Sequence, residues 1–319
     1  MHRHSSGAFV KFRGQLAALR VVRLALWFHQ ALRDSSATVR FARTQGFCAL
    51  NTTDRSIFGK ERASTLFILG SGFSVNSMEA SQFSEIRTGS SVGVNFWFFH
   101  DFIPDAYSFD AGAVPETDRD GLIPKLRNLG AVFQRREIVS KAPAIIILRP
   151  HHLNPDDLIP VPPSLSSRIR VSGRANFLST SQADLALDIR LISEALIKRR
   201  VPRSVLPDNG ASVVRLVFLG LAQRFKDIVL VGVDLDDRPH FWDNDFYREK
   251  YGNLIDSISH TGGRPHGTTL SEDRALGNRE FIELLSTVSH ENFGSKLWVS
   301  SKSSSLYPRL PLFPWGGEA

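Results

Sequence analysis

Cysteine is nearly missing from this chain: its 319 residues include one, Cys48. A single thiol excludes an intramolecular disulfide, and with it the stapled small secreted folds, and points to an intracellular compartment. No apolar run reaches ~18 residues, so no membrane-spanning helix is expected. A cleavable signal is not expected either, because its apolar core would have to lie in VVRLALWF, which Arg23 interrupts. Several catalytic signatures are missing too. No Lys-Ser/Thr pair follows a glycine-rich loop, and no third glycine completes a dinucleotide fingerprint. No G-x-S-x-G elbow presents a serine, and no histidine pair has the spacing of a helical zinc site. The chain shows no internal repeat.

What is present is globular in texture, with 42% apolar and 22% charged residues. The length suits one large domain, or one domain with extensions. The net charge of +7 is uneven. Residues 1–62 carry 11 Lys/Arg against 3 Asp/Glu, so the remainder is about −1. Residues 8–33 read as a helix in which Phe9, Phe12, Leu16, Leu19, Val22 and Trp27 alternate with Lys11, Arg13, Arg20, Arg23 and Arg33. Such a helix can lie in an anionic membrane surface, or pack on the domain or a partner with its arginines solvated. A nucleic-acid arm is disfavoured, since no recognition motif accompanies the charge. Residues 34–63 are polar with little periodicity and read as a linker. The chain thus divides into a basic helical extension and linker, 1–63, and a main domain, 64–319.

Within the main domain, TLFILG (65–70), SSVGVNFWFF (90–99), DAYSFDAG (105–112) and APAIIILRP (142–150) read as buried strands. DRDGLIPKLRNLG (118–130) has helical spacing and a glycine stop. Residues 151–167 are proline-rich and read as a loop or lid. Helices are expected over 181–200 and 210–225, the second running into the strand KDIVLVGVDL (226–235). A helix over 271–293 leads into KLWVSS (296–301). Strands alternating with helices predict an α/β fold: a Rossmann-like, mostly parallel sheet with helices on both faces, a lid or insertion in about 111–208, and the N-terminal helical extension.

Four stretches can carry chemistry. Gly70, Ser71 and Gly72, followed by Ser74, end an apolar strand with the small residues that let backbone approach a phosphate, though many ordinary strands turn the same way. Asn95 ends a buried strand at the edge where open α/β sheets bind ligands, and it equally suits a turn. Asp234, Asp236 and Asp237 could hold a divalent ion beside a diphosphate, or form a solvated loop; His240, Phe241 and Trp242 add a polar handle and stacking faces. His260 and His266 sit with Arg264 in a glycine-rich loop, where a histidine could serve as a general base near neutral pH or simply be exposed.

The order of these pieces resembles the bacterial sialyltransferases of glycosyltransferase family forty-two and related surface-polysaccharide enzymes. The likeness covers G-x-G-x-S, the strand ending in Asn95, the helix opening near Ser212, IVLVGVDL, the loop with His266-Gly267, and SSKSSSL after the last strand, roughly 64–110 and 209–308. It implies a nucleotide-binding domain with a lid and inverting transfer of sialic acid, or a related acidic sugar, from a CMP-activated donor to a glycan or glycolipid acceptor. Carried over by position, Gly70, Ser71, Gly72, Ser74 and Asn95 would contact the nucleotide sugar, with Asp234, Trp242, Ser303 and Ser304 around it. Ser212 would bind the donor's carboxylate or phosphate, and His266 would be the general base. No metal or other cofactor is then required. The chain departs from the family where two lid tyrosines bind the leaving phosphate: Asp236 and Trp242 stand near those positions. The implied place is the cytoplasm, peripheral at the inner face of the membrane. Two other readings remain. One is a metal-dependent pyrophosphokinase-like or flagellin-glycosylation accessory protein, with Mg or Mn at Asp234 and Asp236. The other is a non-catalytic scaffold with a degenerate nucleotide fold.

Overall fold

The computed structural model describes residues 6–60, 63–110, 144–148, 166–179, 181–258 and 276–317, the side chains of 6–18, 147–148, 253–254 and 256–258 excepted. The expected helix at 118–130, the lid at 151–167, and His260, Arg264 and His266 lie outside them.

Nine strands among the described residues make one parallel layer. β2 (Thr65–Leu69), β3 (Ser90–Val94), β4 (Ala106–Asp110), β5 (Ala144–Leu148), β8 (Asp227–Val231) and β9 (Lys296–Val299) carry short apolar runs, as strands covered on both faces must. The order is β1-β6-β5-β4-β3-β2-β8-β9, every pair parallel. The outer edge of β6 (Ile169–Asn176) is shared. β1 (Cys48–Ala49) pairs its first half, and β7 (Val205–Asp208) its second. From β2 the chain works outward through β3 to β6, then returns to add β8 on the other side of β2. The two neighbours β2 and β8 therefore flank a topological switch point.

Helices cover both faces. On one side α1 (Ser6–Thr44), α3 (Gln182–Ile197), α4 (Ser212–Ala222) and α6 (Asn278–Phe293) pack a layer that includes Trp27, Ile189, Phe218 and Phe281. On the other, α2 (Ala80–Thr88), the 3-10 turn Asn95–Phe99 and α5 (Asp245–Ile258) contribute Ile86, Trp97, Phe99 and Tyr247 to an aromatic-rich layer. The Rossmann-like, mostly parallel sheet with an N-terminal helix is thus as expected.

The reading of 34–63 as a linker is corrected. α1 continues without a break to Thr44, because Asp34, Thr38 and Ala42 turn inward along with Trp27 and Ala31. After it, β1 joins the sheet, and Leu50, Ile57 and Phe58 are buried. The period was hard to see because two of the inward positions are polar. Thr38 satisfies itself by donating to the carbonyl of Asp34 at 2.7 Å.

Candidate functional site

The carboxyl ends of β2 and β8 meet at the switch point. Gly70 N–H donates to Val231 O and Gly72 N–H to Gly232 O, both at 2.7 Å. The loops come so close that a Cβ on Gly70 would lie 2.6 Å from Gly232 O, and one on Gly72 2.5 Å from the Asp234 carboxylate. Both glycines are therefore required by loop-on-loop contact, and their N–H groups are committed. Asp234 holds the first loop: it accepts from Ser74 N at 2.8 Å and Ser74 Oγ at 2.5 Å. That leaves Ser71, half-buried, as the polar member of the turn that Asp234 does not hold. Its carbonyl accepts from Phe241 N at 3.1 Å and from His240 Nδ1 at 3.3 Å, so His240 carries its proton on Nδ1. Burial pushes the His240 imidazole below its ordinary range, with Asp243 opposing. Neither the N–H nor the hydroxyl of Ser71 is bonded to a described residue.

Asn95, at the end of β3, has φ 49°, a left-handed conformation that asparagine tolerates better than most residues. Its Oδ1 accepts from Asp110 N at 3.1 Å, and its amide nitrogen makes no hydrogen bond to a described residue. Trp242 is not an open stacking face. It is buried, stacked on His240 at 4.3 Å and edge-on to Phe96 at 5.3 Å.

Asp236 is bonded to Arg238 Nε at 2.9 Å, and Arg238 Nη2 lies 2.7 Å from Asp236 and 3.3 Å from Asp234. The same guanidinium donates to Ser303 O at 2.8 Å, and its pKa is raised chiefly by the bond to Asp236. Ser304 donates to Val233 O at 2.8 Å. A guanidinium thus stands between the carboxylates where a divalent ion would have to sit. This does not fit a metal, and no group of three or more metal-ligating side chains occurs among the described residues.

Ser212 opens α4, and around it lies a cluster that sequence spacing did not reveal. Arg215 is 1% exposed. Its Nη1 donates to Asp208 Oδ2 at 3.1 Å, and its Nη2 to Asp110 Oδ2 and, at 3.0 Å, to Ser212 Oγ. Asp208 also receives Arg174 Nη1 at 3.2 Å and Gly210 N at 2.8 Å. Two guanidinium groups and two carboxylates from the ends of β4, β6, β7 and α4 therefore close on one another. Burial alone would lower the Arg215 pKa, but Asp208 and Asp110 overcome that and raise it. Ser212 Oγ accepts from Arg215 and donates its own proton to Asp110 Oδ2 across a long 3.5 Å contact. One signal was legible: α4 reads SVVRLVFLGLA, an apolar helix with a single charge. A lone arginine among such residues must find buried anions.

Next to this edge, His100 is stacked on Trp97 at 4.7 Å and accepts from Phe102 N through Nδ1 at 2.9 Å. Burial pushes its pKa down to about 4, against the pull of Asp101. Burial likewise pushes the nearby Tyr247 phenol up to about 12.

No family model matches the chain, and no curated protein is detectably similar to it. Solved structures do resemble it. A substituted form of the sialyltransferase CST-II in complex with CMP is 14% identical over 79% of this chain and 86% of that one, with a TM-score of 0.41. CST-II in complex with a trisaccharide acceptor and CMP is 13% identical over 79% and 86%, with a TM-score of 0.42. A further alpha-2,3/8-sialyltransferase CstII structure is 13% identical over 79% and 87%, again at 0.42. A likeness of this depth assigns no role to any side chain.

Proposed function

We propose that the chain is a glycosyltransferase of the sialyltransferase type. It transfers a sugar, sialic acid or a related acidic sugar, from a CMP-activated donor to a hydroxyl of a surface glycan or glycolipid. The observation that carries this reading is the switch point itself: Ser71 of the G-x-G-x-S loop and the Asn95 amide offer donors that no described residue engages at one carboxyl edge, where open α/β sheets take nucleotides.

Ser71 and the Asn95 amide bind the nucleotide sugar. Ser212 turns its hydroxyl proton from the long contact with Asp110 to an anionic oxygen of the donor, helped by the positive end of the α4 dipole. His266, which lies between α5 and α6 in the sequence, removes the acceptor proton as the acceptor oxygen attacks the anomeric carbon. The bond from that carbon to the phosphate oxygen breaks, and CMP leaves with the electron pair, which inverts the anomeric centre. The chemistry is metal-free, because Arg238 already neutralises Asp234 and Asp236.

Thermal unfolding with CMP, CDP, UDP, GDP and ATP, each with and without Mg²⁺ or Mn²⁺, tests this. CMP at ~100 times its dissociation constant should add about 2.7 kcal/mol without metal. Stabilisation only by a triphosphate with metal would replace this reading by the pyrophosphokinase-like one. No stabilisation by any nucleotide would leave a scaffold. Transfer from CMP-sialic acid that His266→Ala abolishes would complete the case.

A further inference from the structure

α1 has two faces, and the described residues cover only one. Trp27, Ala31, Asp34, Thr38 and Ala42 are buried on the side toward β6. Trp27 Nε1 donates to Ala175 O, and the site of Gly173 is filled by Thr38 and the carbonyl of Asp34. At 100° per residue the opposite face carries Leu19, Val22, Leu26 and Leu32, each more than half exposed. Among the described residues ten large apolar side chains are exposed, and six of them lie on this helix. The exposed arginines Arg33 and Arg40 stand in the same stripe, Arg33 with its Nε 3.4 Å from Asp34 Oδ1 and the rest of its guanidinium in solvent.

Charge selects the occupant. α1 has seven Lys/Arg and a single acid, Asp34, which is buried. The outer face therefore offers no carboxylate. Arg20 and Arg23 on its flank are taken by Asp184 and Asp188 of α3, which clamps the helix to the body. Outside the N-terminal segment the chain is near neutral, so its net positive charge is concentrated at this end. A second copy of the same face would bring like charges together. No helix is long and apolar enough to cross a membrane among the described residues. An exposed apolar stripe edged by arginines, on a helix fixed to a rigid domain, has the character of an element lying in the plane of a lipid surface, with its arginines reaching the headgroups.

We infer that the outer face of α1 docks this protein on an anionic bilayer surface. The inference does not depend on the transferase reading and is tested without any activity. The purified full chain is floated with vesicles of phosphatidylcholine, and with vesicles in which about one-third of the lipid is phosphatidylglycerol. The chain should float with the anionic vesicles and not with the neutral ones, and high salt should weaken the binding. Val22→Asp/Leu26→Asp should abolish flotation with thermal unfolding unchanged, since both side chains are exposed. Arg33→Gln/Arg40→Gln should weaken partition roughly 30-fold, from about 1 kcal/mol per basic side chain near an anionic surface. Absence of flotation, or flotation that neither pair of substitutions affects, would overturn the inference. So would sedimentation showing a dimer that Val22→Asp/Leu26→Asp dissolves, for then the face belongs to a second copy.

Discussion

Arg215 decides more about the carboxyl edge than any residue the motifs single out. It is fully buried and touches Asp208, Asp110 and Ser212 at once. Removing one partner of such a set leaves an uncompensated buried charge, which costs about 3–5 kcal/mol. Arg215→Met should therefore lower the unfolding free energy by that order in urea titrations, and should also release Ser212, so that CMP binding weakens in step. Gly72→Ala forces a methyl to within 2.5 Å of the Asp234 carboxylate. A loss of about 1–3 kcal/mol is expected from overpacking, read by the same titration. His100 supplies the pH dependence. Its folded-state pKa is near 4 and its ordinary value 6.5. Between those values the unfolded chain binds a proton that the folded chain does not, so stability falls as pH drops through the window, by roughly 2–3 kcal/mol in all, and recovers above it. Wild type should lose that amount between pH 7 and pH 4 relative to His100→Gln, in which the contribution is absent. These residue roles were only partly legible. Gly70 and Gly72 announced themselves as small residues at a strand end, and Asn95 through the left-handed conformation it tolerates. The partners of Arg215 did not, because Asp110 and Asp208 are about a hundred residues apart in the chain and only the sheet brings them to one place.

At the scale of the element, α1 is the informative case. Its seat on β6 depends on Trp27, which is 2% exposed, and on Gly173, where a Cβ would come within 2.6 Å of Thr38 Oγ1. Trp27→Ala should cost about 3–5 kcal/mol by urea titration, as for any large buried aromatic. The strands were readable because two-sided burial leaves short unbroken apolar runs. β6, IRVSGRAN, was not, since Arg170 and Arg174 alternate with its buried positions and disguise a strand that β1 and β7 share as an edge. α5 was hidden for a related reason: DFYREKYGNLIDSI has few apolar positions and a non-helical break at Tyr251.

At the scale of the whole molecule, residues 19–58 belong to the same packed layers as the later strands, with Trp27, Leu50 and Phe58 in one cluster with Phe218 and Phe281. A chain starting at residue 64 should therefore not retain a cooperative transition. Circular dichroism on heating should broaden, and a hydrophobic dye should bind before unfolding, because the α1 seat on β6 and the β1 edge are both uncovered. A sharp transition in the truncated chain would show that the first segment is dispensable to the core.

The sequence by itself determined the class of fold, the direction of the chain through most of the sheet, the concentration of positive charge at the N-terminal end, and the turn residues at the ends of β2 and β3. Each of these is a local property, fixed by periodicity, composition, the small size of glycine or the left-handed conformation that asparagine tolerates. Only the tertiary structure decided that the two glycines serve loop-on-loop contact, that Asp234 and Asp236 face an arginine, that Trp242 is packed away, and that no other described residue covers one face of α1. Those facts depend on which distant segments become neighbours, and the packing that brings them together is a property of the assembled sheet and not of any stretch within it.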